Sequence, residues 1–106
     1  MRVRYDAYRD GYELVAKAIV RLNKRERKRL EHILQKEGEV MLCFCTTIFR
    51  VENPLVIEQT KEVPFELDED WNERRELSDL LGMVEDEVED LRYLLGGECD
   101  AKADVA

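Results

Sequence analysis

One apolar stripe in the C-terminal third of the chain constrains its fold more than any other feature. Within residues 66–95, aliphatic side chains recur at spacings of four and three, at Leu77, Leu81, Val84, Val88, Leu91 and Leu95. Residues three and four positions apart lie on one face of an α-helix. The spacing therefore predicts one long helix, over residues 71–95, with a continuous apolar seam.

This predicted helix carries carboxylates on its other sides. Five of the six residues from 85 to 90 are acidic, although like charges one turn apart destabilise a helix by roughly a few tenths of a kcal/mol per pair. We interpret this face as one that resembles nucleic-acid phosphate and binds the basic site of another protein. The alternative is a face that is solvated or that neutralises the chain's own basic residues. The predicted partner-binding residues are Glu76, Asp79, Glu85, Asp86, Glu89 and Asp90, and Glu87 is expected on the flank next to Glu76.

The charge along the chain is strongly segregated. Residues 1–37 hold 11 Lys/Arg against 6 Asp/Glu, whereas residues 68–100 hold 3 against 13. The formal net charge of −8 disfavours non-specific attraction to nucleic acid or to anionic lipid. The sequence therefore predicts a protein partner with a basic surface, and it favours neither direct nucleic-acid binding nor membrane association.

A basic segment after residue 20 indicates a second class of function. It contains Arg21, Lys24, Arg25, Arg27, Lys28 and Arg29. Asn23 is a good N-cap and Gly38 is a typical helix-ending residue, so we expect a helix over residues 24–37. In a winged helix-turn-helix, this helix would bind DNA through Arg25, Lys28 and Arg29. The net charge has the wrong sign for such domains, so ion pairing with the acidic helix, within the chain or across a dimer, is the preferred interpretation.

The N-terminal segment shows a second helical spacing. Apolar side chains recur three and four residues apart at Tyr5, Tyr8, Tyr12, Val15, Ile19 and Leu22, which favours an amphipathic helix over residues 5–22. Gly11 lowers the helix propensity there, and the alternative is a strand over residues 3–7 with a helix that starts after Asp10. On one stripe, Tyr5, Tyr8 and Tyr12 would form a secondary contact patch, with core packing as the more frequent explanation.

A long antiparallel β-hairpin is predicted over residues 39–67. Residues 40–51 are rich in β-branched and aromatic side chains on both alternating faces, as in a strand that is covered on two sides. Asn53-Pro54 marks a turn, and apolar and polar side chains alternate over residues 55–67. Pro64 cannot donate to a ladder, so we expect this second strand at the edge of the sheet.

Together these elements predict an α+β fold with the order ααββα: two N-terminal helices, a long antiparallel β-hairpin and a long, acidic, amphipathic C-terminal helix. We expect Asp68 or Asp70 to cap the last helix, its seam to cover the sheet, and Gly82 to be its weak point. Dimerisation through the seam is the alternative. We expect a single domain over residues 1–97 and a polar tail over residues 98–106.

The sequence carries no catalytic or cofactor-binding signature. It lacks a glycine-rich phosphate loop and a metal-binding histidine pair, and no nucleophile lies at motif spacing from His32. Three thiols and one imidazole could ligate zinc, but the spacing of Cys43 and Cys45 is too short for a zinc knuckle, and Cys99 lies in the expected tail. We therefore expect no metal, no cofactor and no enzymatic activity, and we interpret Cys43 and Cys45 as packing residues.

The expected compartment is the cytoplasm. The N-terminus lacks the apolar core of a signal peptide, and no apolar run approaches the ~20 residues of a membrane span. Our functional hypothesis is a small acidic inhibitor or modulator that docks on the basic site of a nucleic-acid-processing protein, of the type with which viruses counter host defences. The alternatives are a winged-helix-like DNA-binding regulator and an assembly subunit that dimerises through the seam.

Overall fold

The computed structural model describes residues 1–97 as five strands, two helices and a final π-helical turn. In chain order these are β1 (Arg2–Asp10), β2 (Glu13–Arg21), α1 (Lys24–Glu37), β3 (Val40–Met41), β4 (Thr47–Ile48), β5 (Leu55–Glu62), α2 (Glu73–Arg92) and the π-turn (Tyr93–Gly97). The predicted order ααββα is therefore wrong, and the order within the described residues is ββαβββα. The tail expected over residues 98–106 lies outside them.

The N-terminal segment is a β-hairpin instead of the predicted helix. β1 and β2 pair antiparallel along their whole length, from Arg2 opposite Arg21 to Asp10 opposite Glu13. The two-residue turn between them has Gly11 at φ 62°, a conformation that glycine adopts freely and that suits a type II′ hairpin turn. The helical spacing was misleading because residues 14–20 are nearly all apolar, so they satisfy a period of two as well as a period of 3.6.

α1 forms over the predicted residues, and that prediction is confirmed. The Asn23 side chain accepts the Glu26 N–H at 2.8 Å, and the Glu26 carboxylate accepts the Asn23 N–H at 2.8 Å, which completes a capping box. At the other end, the N–H of Gly38 donates to the Leu34 carbonyl at 2.8 Å. A strand, not a helix, precedes α1, so the helix-turn-helix that we considered is wrong.

The predicted long hairpin over residues 39–67 is also wrong. β3 and β4 form a small hairpin of their own, in which Val40 lies opposite Ile48. β5 pairs with β2 instead, and the larger sheet is antiparallel with the strand order β1-β2-β5. The alternation in β5 correctly predicts a strand but not its partner, because ladder hydrogen bonds use backbone groups that nearly all residues share.

α2 covers one face of the larger sheet, as its seam predicts. Val84, Val88 and Leu91 are fully buried, and they share one core with alternate residues of β2 and β5, namely Leu14, Ala16, Ala18, Val20, Leu55 and Ile57. The helix begins after Asn72, which replaces Asp68 and Asp70 as the N-cap, and it continues through Gly82. Although α2 has 20 residues, no helix in the described part of the chain has both the length and the hydropathy of a membrane span.

Candidate protein-binding site on the acidic helix

Glu87 is a buried carboxylate that joins α2 to the chain between β3 and β4. Its side chain has 0% exposure. One oxygen accepts the backbone N–H groups of Phe44 and Thr46 at 3.1 and 3.2 Å, and the other accepts the Thr46 hydroxyl and the Gln59 amide, both at 2.8 Å. Because all four donors meet a carboxylate, these hydrogen bonds belong to the stronger, charge-assisted class. The predicted position of Glu87 on an outer flank of the helix is therefore wrong.

The segment that Glu87 holds is a tight turn over residues 42–46, which we call the carboxylate-bound turn. The N–H of Cys45 donates to the Leu42 carbonyl at 2.9 Å, and the N–H of Leu42 donates to the Thr46 carbonyl at 2.8 Å. Cys45 takes φ 70°, a left-handed conformation in which glycine is usual. The continuous strand predicted over residues 40–51 fails here because the stabilising acceptor lies on α2, 41 residues after Thr46.

Asp90 holds the same turn from a position three residues after Glu87 on α2. One of its oxygens accepts the N–H of Cys43 at 2.9 Å. Local desolvation is the main cause of a raised pKa of the Cys43 thiol. The hydrogen bond to Asp90 and the negative charges of Asp90, Glu87 and Asp86 raise this pKa further. A raised pKa keeps this thiol protonated at neutral pH and makes it a poor nucleophile. Both Cys43 and Cys45 are exposed, so their interpretation as packing residues is wrong.

Two other predicted partner-binding residues take part in ion pairs with the chain itself. Glu76 pairs with Lys61 of β5 and is largely covered, with a side-chain exposure of 17%. Glu89 lies 3.7 Å from the Arg92 guanidinium, but its side chain stays 72% exposed. Surface pairs of this kind contribute only ~0–1 kcal/mol. Glu76 therefore belongs to the contact between α2 and the sheet, whereas Glu89 remains open to a partner.

Asp79, Glu85 and Asp86 lie on the solvent side of α2 with exposed side chains. Within residues 1–97, no basic side chain forms an ion pair with any of them. Together with Glu89 they form the exposed acidic surface of α2, which we call the anionic ridge. At the standard rise of an α-helix, Glu85 and Glu89 are about 6 Å apart along the axis, and Asp79 and Asp86 about 10 Å. Four of the six predicted residues are thus exposed.

The predicted tyrosine patch is not assembled. Tyr5 and Tyr8 are three residues apart on β1, so they lie on opposite faces of the sheet, and Tyr12 lies in the hairpin turn. Burial and the negative charges of Glu85 and Glu89 raise the pKa of the Tyr5 hydroxyl, and the positive charge of Arg92 partly opposes them. These three charged residues lie on α2, so Tyr5 lies beside this helix. On the other face, the Lys17 ammonium lies 5.3 Å from the centre of the Tyr8 ring, in cation–π contact.

The basic residues considered for DNA contact lie on α1. Arg25, Lys28 and Arg29 are all exposed. The Arg29 guanidinium donates to the Leu94 carbonyl in the π-turn at 3.5 Å. Within residues 1–97, neither Lys28 nor Arg29 forms an ion pair with a carboxylate of α2. The pairing of the basic segment with the acidic helix inside the chain is therefore absent for these two residues.

Sequence reasoning missed Glu87, Thr46 and Gln59 as the centre of a polar network. A signal for Glu87 exists, because it lies three residues after Val84 and four before Leu91, and this spacing places it on the seam. No local pattern distinguishes Thr46 or Gln59 from ordinary polar residues. Among residues 1–97, no group of three or more His, Cys, Asp or Glu side chains is arranged to hold a metal ion.

Comparisons of the chain with models of protein families, with curated protein sequences and with solved structures find no match.

Proposed function

We propose that this chain is a non-enzymatic protein-binding module that docks the anionic ridge on a basic surface of a nucleic-acid-processing protein. The observation that carries this proposal is that Asp79, Glu85 and Asp86 are exposed and form no ion pair within residues 1–97. Like charges one turn apart weaken a helix. A basic partner would relieve this repulsion and gain attraction to every member of the ridge.

The helix beneath the ridge is held in place on two other sides, which favours binding. The seam packs α2 on the sheet, and Glu87 and Asp90 fix it to the carboxylate-bound turn. Charges on a preorganised element lose little conformational entropy when a partner binds. The ridge therefore presents several negative charges on a rigid support, as the phosphates of a duplex do.

Such a module would act by occupying a surface that otherwise binds nucleic acid. Attraction between the ridge and a basic groove speeds association and is weakened by salt, as for nucleic acid itself. The bound module would exclude the nucleic acid, so we propose that it inhibits or modulates its partner, in the manner of viral proteins that counter host defences.

The test is a triple charge reversal of the ridge, Asp79→Lys/Glu85→Lys/Asp86→Lys. Glu76, Glu87 and Asp90 stay unchanged because they hold the fold together. The matched control is Asp10→Lys/Glu13→Lys/Glu62→Lys, which changes three exposed carboxylates near the β1–β2 turn and alters the net charge equally. Both variants should keep the circular dichroism spectrum of the wild type.

The readout is capture of proteins from a native cell lysate on each immobilised chain, followed by elution with a duplex oligonucleotide. The wild type and the control should capture nucleic-acid-binding proteins that the duplex releases, and the ridge variant should not. Equal capture by the ridge variant, or bound proteins that the duplex does not release, would overturn the proposal. Direct, salt-sensitive binding of duplex DNA by the wild-type chain would contradict it as well.

A further inference from the structure

β1 has an unpaired outer edge. The strand order β1-β2-β5 places β1 at one edge of the sheet and β5 at the other. The carboxylate-bound turn lies beside β5, because the Gln59 amide donates to the Phe44 carbonyl at 3.2 Å. No strand in residues 1–97 pairs with the outer edge of β1, which is nine residues long. Exposed edges of this length are ready to pair with a strand from another chain.

The hairpin determines which backbone groups of β1 are free. Asp10 and Glu13 flank a two-residue turn, and residues in that position exchange backbone hydrogen bonds with each other. The pattern alternates along the strand, so the even-numbered residues of β1 bond to β2. The N–H and C=O groups of Val3, Tyr5, Ala7 and Arg9 therefore point towards the free edge, and an added strand would bond to these residues.

We propose that β1 pairs antiparallel with β1 of a second copy of this chain, about a two-fold axis at Tyr5. In this register Tyr5 lies opposite the partner's Tyr5 and Val3 opposite the partner's Ala7, and both pairs use the free backbone groups. On the face away from α2, Arg4 lies opposite the partner's Asp6, and Arg2 opposite the partner's Tyr8. All of these cross-strand pairs are favourable: aromatic, apolar, oppositely charged or cation–π.

The charge pattern of β1 selects this register over its neighbours. A shift of two residues in one direction places Arg4 opposite the partner's Arg4, and in the other direction Asp6 opposite the partner's Asp6. Like charges in directly opposed positions are destabilising. A larger shift places Tyr5 opposite the partner's Arg9, whose guanidinium already binds Glu73 at 2.9 Å and the Gly11 carbonyl at 2.8 Å.

The resulting dimer contains one continuous sheet with the strand order β5-β2-β1-β1-β2-β5. Tyr5, which is 39% exposed in the single chain, would be covered by the partner's Tyr5. The contact is small and partly polar, so we expect association in the micromolar range, with dependence on salt. The paired strands are not part of the anionic ridge, although Glu85 and Glu89 of the ridge lie near Tyr5. The two proposals are tested by separate experiments.

Sedimentation velocity of the full chain over about 5 to about 200 μM tests the dimer, because small polar interfaces associate in this range. The wild type should approach twice the 12.5 kDa monomer mass as its concentration rises. Arg4→Asp and Asp6→Arg, each alone, place like charges opposite each other and should weaken association at least about 10-fold. An equimolar mixture of these two variants restores both opposite-charge pairs and should associate as well as the wild type.

Two further variants check the strand edge itself. Ala7→Pro removes an N–H that points to the free edge and leaves the bonds from β1 to β2, so it should abolish association while the chain stays folded. Asp10→Arg lies outside the proposed pairing and should leave association unchanged. A monomer at all concentrations would overturn the proposal. So would a dimer that survives Ala7→Pro, or one that the mixture of charge variants fails to restore.

Discussion

Replacement of Glu87 by alanine should destabilise the fold by about 3–4 kcal/mol, because four hydrogen-bond donors lose their shared acceptor at once. These donors are the N–H groups of Phe44 and Thr46, the Thr46 hydroxyl and the Gln59 amide. The side chain is fully buried, so water does not replace it without a rearrangement of the carboxylate-bound turn. Three elements depend on this residue: α2, β5 and the β3–β4 hairpin.

The magnitude follows from what each donor can recover. A hydrogen bond to a charged group contributes about 1.5–3 kcal/mol, but these contributions are not additive. The Gln59 amide also lies 3.2 Å from the Phe44 carbonyl and 3.1 Å from the Thr46 hydroxyl, so these side chains retain partners in the variant. The two backbone N–H groups cannot rotate towards another acceptor as a side chain can. Their loss, at about 1–2 kcal/mol each, and the small cavity left behind account for the expected total.

Urea unfolding followed by circular dichroism and by the fluorescence of Trp71, the single tryptophan, measures the change. Glu87→Gln keeps one acceptor oxygen and should lose about half as much stability as Glu87→Ala. Asp86→Ala, at the neighbouring exposed position, is the matched control and should change stability by less than about 0.5 kcal/mol. If the free energy of unfolding of Glu87→Ala lies within about 1 kcal/mol of the wild-type value, the carboxylate does not hold the turn and the reasoning is refuted.

Five further substitutions test local features. Asp90→Asn removes a charge that raises the pKa of Cys43, so more thiolate forms at neutral pH and alkylation of Cys43 by iodoacetamide should accelerate. Peptide-resolved mass spectrometry, with Cys45 as internal reference, measures this, and an unchanged or slower rate contradicts it. Cys45→Val should destabilise the chain by about 1–2 kcal/mol because its backbone is left-handed, whereas Cys45→Gly should not. Gly11→Ala should lower stability by about 1 kcal/mol because φ is 62°, and Gly82→Ala should raise it by about 0.5–1 kcal/mol, since nothing lies within 4 Å of the added methyl group. Thermal unfolding compares each pair, and the same sign for both glycine replacements would contradict the assigned backbone conformations.

The two helices show what local sequence can predict in this chain. α1 begins after Asn23 and ends before Gly38, as these two residues predict. α2 follows the seam from Leu77 to Leu91. Hydrogen bonds and side-chain contacts in a helix join residues three and four positions apart, so a pattern of that spacing is sufficient to find it. The same spacing over residues 5–22 was misleading, since a run of apolar residues also fits a buried strand.

The candidate site was only partly predictable for the same reason. The sequence placed Asp79 and Asp86 away from the seam and Glu85 and Glu89 on one flank, and all four are exposed. It did not separate them from Glu87 and Asp90, whose donors are the backbone N–H groups of Cys43, Phe44 and Thr46. The sequence does not show which distant carboxylate will accept a hydrogen bond from a given backbone N–H group.

The sequence alone thus determined the helices, the strand character of residues 55–62 and an excess of carboxylate on the last helix. The tertiary structure decided that residues 2–21 form a hairpin, that β5 pairs with β2, and which carboxylates bind the chain and which face solvent. For β5 and Glu87 the physical reason is range, because helix signals act within one or two turns, whereas these contacts join groups about 40 residues apart. For residues 2–21 the reason is that a run of apolar residues fits a strand as well as a helix.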